Sequence, residues 1–189
     1  MSKIALSPNA SGTGVFTIAS PNGNTDRTLV LPDEAGTVLT TAGVPASAMP
    51  AGSVIQVVQG YRSPAISTTS TSWTNVTDAS ATITPSSASN KILVLVTGNY
   101  ISFSTGIDGR GEFAVVRNTS TTTIADCPYG WYFSPDITSD GNTYGGISMS
   151  FLDSPNSTSP LTYDLQFHSI AGAYLEARRV AVTVMEVVA

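Results

Sequence analysis

Residues 161–168 read LTYDLQFH. Leu161, Tyr163, Leu165 and Phe167 alternate with Thr162, Asp164, Gln166 and His168. A period of two puts the apolar set on one face of a strand and the polar set on the other, the pattern of a half-buried antiparallel strand. Ile147, Met149 and Phe151 alternate with Ser148 and Ser150, and Val180, Val182 and Val184 repeat the period further on. Residues 91–96, KILVLV, are the most apolar run and predict a central strand. Residues 112–117 predict another. Residues 54–59, VIQVVQ, carry β-branched side chains on both faces, as a strand buried on both sides does. Residues 73–76 and 81–84 predict a strand pair across Thr77-Asp78-Ala79, and residues 67–72 a polar edge strand or a loop. The nearest approach to a helix, residues 173–179, is short and uncapped. Eight or more strands with turns between them predict an all-β head, an antiparallel two-sheet β-sandwich of jelly-roll type, over residues 54–189.

Working towards the N-terminus, residues 44–53, VPASAMPAGS, form a linker of small residues, held extended by Pro45 and Pro50. Before it, residues 12–40 read GTGVFTIASPNGNTDRTLVLPDEAGTVLT. Phe16 and Ile18 flank Thr17, Leu29 and Leu31 flank Val30, and Asn22-Gly23 and Pro32 mark turns. Three very short β segments are therefore expected within residues 1–43. About fifty residues bury only some 60% of their unfolded-chain surface even with a good core, and Phe16 is the only aromatic before the linker ends. Burying Phe16, Ile18, Leu29 and Leu31 against copies of themselves around a symmetry axis is the simplest remedy. Residues 1–43 are thus expected to form an intertwined oligomeric stalk that carries the head.

The stalk stretch resembles a module of bacteriophage tail fibre proteins, many from aquatic hosts. That pattern is G-T-G-x-F/V-T-I, then N-x-x-R-T-L-x-L-P-D, then G-T-L/V-L-T, and the chain matches nearly all of it. A looser resemblance to the head domain of the same proteins runs from residues 50–58 through 83–92 and 151–155 to 182–187. The resemblance implies a homotrimeric virion protein of the tail, made in the host cytoplasm, without catalytic residues or cofactors. It also implies attachment to a baseplate or tail protein through the N-terminal segment, and contact with a host cell-surface glycan or protein. Other readings of the residues are a structural baseplate or collar component, a polysaccharide-degrading tailspike, and a cellular lectin.

Composition bounds the partners. Of 189 residues, 11% are charged, against about 25% in an ordinary domain. Ser and Thr fill the gap, which suits β-structure that persists outside a cell. The net charge is −5 and Arg178-Arg179 is the only adjacent pair of cations, so nucleic-acid binding is not expected. No apolar run approaches the roughly 18 residues of a membrane span, and Met1-Ser2-Lys3 opens into polar sequence without the marks of a signal peptide. A single cysteine, Cys127, fits folding in a reducing compartment.

Chemistry has few places to reside. The one histidine, His168, lies on the polar side of its strand, apart from Cys127, and is expected at a surface or an interface. Zinc needs more Cys and His than the chain has. The loop of residues 136–142, DITSDGN, lacks the alternating ligands and terminal Glu of a calcium loop. The carboxylates mostly sit beside Gly, Pro or Ser, as turn-forming Asp does. Glu186, inside an apolar strand, is expected at an exposed strand end or in an intersubunit pair with Arg178 or Arg179. The aromatic run Tyr129, Trp131, Tyr132 and Phe133 is the strongest recognition candidate. Alternation sends Tyr129, Trp131 and Phe133 to one face, as core or interface, while Tyr132 and Asp136 of the following loop are placed for receptor contact.

Overall fold

The computed structural model describes residues 11–15, 17, 19, 22–26, 28, 44, 48–104, 111–118, 141–170 and 172–189. The chain divides into two compact units, residues 1–38 and 39–189. None of the described residues of the first unit is in a strand. Phe16, Ile18, Leu29 and Leu31, the expected stalk core, lie outside the described residues.

The second unit is built from antiparallel sheets, with no α-helix among its described residues. Its strands are β1 (Val54–Arg62), β2 (Ile66–Thr68), β3 (Thr74–Ile83), β4 (Lys91–Ser104), β5 (Gly111–Arg117), β6 (Gly141–Asp153), β7 (Leu161–Ser169) and β8 (Tyr174–Val187). The larger sheet runs β1-β8-β4-β6, with β2 also paired to β8; the smaller runs β3-β7-β5. The period-two apolar residues meet between the sheets. Ile92, Val94 and Val96 of β4, Val180, Val182 and Val184 of β8, and Ile147 and Met149 of β6 form one wall. Val76, Ile83, Phe113, Val115, Leu161, Tyr163, Leu165 and Phe167 form the other. Phe113 and Phe167 stack with centroids 6.1 Å apart. Each large apolar side chain buried here contributes about 1.5–3 kcal/mol.

Two polar ties close the sandwich. Asp153 of β6 accepts from the Arg117 guanidinium of β5 at 2.6 Å and from the Tyr163 hydroxyl of β7 at 2.7 Å, so one carboxylate joins both sheets. At the end of β8, Glu186 is buried and its Oε1 accepts from the Ser86 amide, the Ser86 hydroxyl and the Asn90 amide group, each at 2.7 Å. Burial alone would raise the Glu186 carboxyl, but these donors from Asn90 and Ser86 outweigh it and hold the group below its ordinary value. This corrects both expectations for Glu186: it is neither an exposed strand end nor a partner of Arg178 or Arg179.

Several expectations change with the strand order. Strand β1 is not buried on both sides. It edges the larger sheet, and Val57 is 57% exposed. The two expected segments form one strand, Thr74–Ile83, rather than a pair. Its register shifts between Asn75 and Ser80, with Asp78 in the left-handed region at φ 64. The Arg62 guanidinium bonds the Thr77 carbonyl and the Asp78 carboxylate and fixes this irregularity. Residues 174–179, the nearest to a helix, are part of β8. The predicted loop of residues 136–142 ends earlier, because β6 begins at Gly141. Strand β7 is central, so its polar face is covered too: Asp164 and Gln166 are buried, and Gln166 donates to Asn75 at 2.8 Å.

Candidate functional site

Tyr129, Trp131, Tyr132 and Asp136, the receptor candidates, lie outside the described residues, as does Cys127. Only Gly141 and Asn142 of the 136–142 loop are described, both in β6. Among the described residues no group of three or more Asp, Glu, His or Cys is placed to hold a metal ion. No helix there is long and apolar enough to cross a membrane.

The structure instead assembles a cleft of about 640 Å³ on the larger sheet, where β4, β6 and β8 run beside the β1–β2 connection. Its origin is a fault in the pairing of β4 with β8. Thr97 faces Ala181 and Asn99 faces Arg178, so two residues of β8 oppose Gly98 alone. The extra residue is Arg179, in the left-handed region at φ 49. A β-bulge of this kind re-aims side chains. In a regular strand one of two adjacent arginines would point into the core. Here Ala177 and Val180 are buried and both arginines between them are exposed. Among the described residues, the other non-glycine residues with positive φ are Asp78, Asn118 and Asn156, types that tolerate this conformation through local hydrogen bonds. Arginine has no such compensation, and the conformation costs it about 1–2 kcal/mol.

Around the arginines the cleft is lined by Tyr100 and Tyr144, by the polar Ser63 and Asn99, and by Ala65, Ile101 and Gly145. Tyr144, which faces Ile101 across the β4–β6 ladder, is 67% exposed. Glu176 is buried beneath the rim and binds the Arg178 Nε–H and the Tyr174 hydroxyl. Arg178 is thus held in place with its charge matched, whereas Arg179 has no ion pair among the described residues. Gly145 shapes the floor: a Cβ there would fall 2.0 Å from the Tyr100 hydroxyl. Burial pushes the Tyr100 phenol up to about 12, so it stays protonated at neutral pH. The site can hold an anion and present an aromatic face beside it.

A second cluster lies on the smaller sheet. His168 faces Glu112 at 2.9 Å and the Ser169 carbonyl at 3.2 Å, and its ring lies 4.2 Å from that of Trp73. Both ring nitrogens are occupied, and among the described residues neither contacts a hydroxyl that it could activate.

Sequence reasoning noted the Arg178-Arg179 pair but not the cleft. The signal was a phase break: the inward residues run Leu175, Ala177, then Val180, Val182, a step of three in a period of two. The chain matches no known protein-family model and no curated protein.

Proposed function

We propose that the protein is a bacteriophage tail fibre, a homotrimeric virion component whose N-terminal segment attaches to the tail and whose jelly-roll head contacts the host surface. The likeness of residues 12–40 to the tail-fibre module supports the virion part. The strand order supports the jelly roll. That fold pairs its eight strands, B to I, as B-I-D-G against C-H-E-F. Orders β1-β8-β4-β6 and β3-β7-β5 follow this sequence, with β2 as an addition. Residues 119–140, between β5 and β6, lie outside the described residues.

The observation that carries the oligomeric part is an apolar row on the outer face of the larger sheet. Val57 faces Met185, Met185 faces Leu93, and Leu93 faces Leu152, so the row crosses all four strands. Val57 is 57% exposed and Leu152 45%. Val54, 47% exposed, opens β1 beside the row. The outer face of the smaller sheet is polar by contrast, with Thr82 bonded to Thr162, Gln166 to Asn75 and His168 to Glu112. A contiguous apolar surface of this kind suits burial against further copies of this chain. Antibody raised against residues 54–189 should label the tail-fibre tips of the virion in electron micrographs. Particles without label would remove the virion assignment.

A further inference from the structure

We propose that the cleft at the Arg178–Arg179 bulge binds an acidic saccharide, its anionic group on the two guanidinium groups and a sugar face on Tyr144. The inference rests on the reading of the head as a surface-recognition module and names the ligand class. Three features carry it. The first is charge placement: the chain has only 8 Lys and Arg in 189 residues and a net charge of −5, yet two arginines stand side by side at this cleft. Arg178 is matched and braced by Glu176, and Arg179 supplies the surplus charge. Guanidinium groups bind carboxylate and phosphate through paired N–H donors. The second is backbone strain. Arg179 is held at φ 49, where glycine would sit without penalty, and strain of this kind clusters at functional sites. The third is the exposed Tyr144 ring on the same cleft, an apolar face with a polar tip of the sort that stacks on sugars.

The cleft lies away from the apolar row on the same sheet. The apolar row crosses β8 at Met185, seven residues from Arg178, or roughly 20 Å along the strand at about 3.3 Å per residue. Subunit packing at the row and ligand binding at the bulge therefore use different ends of the same sheet.

The test uses the full chain and three probes by titration calorimetry: an oligogalacturonate, glucose 6-phosphate and neutral cellohexaose. The key variant is Arg179→Gly, which removes the cation and also relieves the left-handed strain. Its melting temperature should stay level or rise. Its affinity for the anionic probe should fall at least about tenfold, the size of one lost charge-assisted contact, and wild-type binding should weaken with salt. Tyr144→Ala should weaken the oligogalacturonate with no change in melting temperature. Binding by the oligogalacturonate alone identifies a carboxylated glycan, and by glucose 6-phosphate a phosphorylated one. Equal anion binding by wild type and Arg179→Gly overturns the proposal, as does a wild type that binds neither anion. Head antibody labelling the fibre tips in that case would keep the tail-fibre reading and discard only the ligand.

Discussion

At the scale of single residues, the structure depends on groups whose sequence gives little warning. A Cβ at Gly60 would lie 1.7 Å from the Ser80 carbonyl oxygen, where β1 crosses β3. A backbone atom cannot step aside as a side chain can. Gly60→Ala is expected to cost about 3 kcal/mol or more, the upper range for overpacking, read as a shift in the urea midpoint. Glu186 is equally specific. Its carboxyl is held below its ordinary value of 4.5 in the folded protein, so its contribution is fully present above that value. The contribution is lost as the pH falls through the lower folded value. Melting temperature measured from neutral pH downwards should therefore drop more steeply below pH 4.5 for wild type than for Glu186→Gln. Parallel curves would mean that the carboxylate is not held by Ser86 and Asn90. Neither residue was legible beforehand. Glycine in a strand pattern does not say what passes over it, and a glutamate among valines reads equally well as a strand end.

At the scale of elements, β4 and β7 were the most legible, because apolar runs and strict alternation report burial directly. What failed was the placement of strands within sheets. Val54, Val57 and Val58 read as a strand covered on both sides, yet β1 is an edge with Val57 open. Apolar side chains on both faces say that both are to be buried, not that the same chain buries them. Irregularities were hidden too. Asp78 and Arg179 break the period by one residue, and a turn or a helix fits such a break as well as a bulge does. The cleft was illegible for this reason: it exists only because β8 gains a residue against β4. Asp153 ties β5, β6 and β7, which no local pattern foretells. Replacing it by Ala leaves Arg117 and Tyr163 without their acceptor and should cost about 3–5 kcal/mol, as for a broken buried pair. Equilibrium unfolding of Asp153→Ala against wild type reads that loss, and a difference below 1 kcal/mol would show that the tie is dispensable.

At the scale of the whole molecule, the two outer faces differ in chemistry: one is polar and internally bonded, the other carries the row Val57, Met185, Leu93 and Leu152. A head that worked alone would have no use for that row in water. In the proposed trimer, three copies around an axis would bury it and repeat the cleft three times, which would turn weak single contacts into useful avidity. Placing Lys at both Val57 and Leu152 puts charge into the row without touching the core and should weaken packing between the heads, read as a lower melting temperature of the full chain. The most direct test is the solution mass of the full chain by light scattering at micromolar concentration. The account predicts three times the chain mass of 19.5 kDa for wild type. A wild type that remains a stable 19.5 kDa monomer would contradict it.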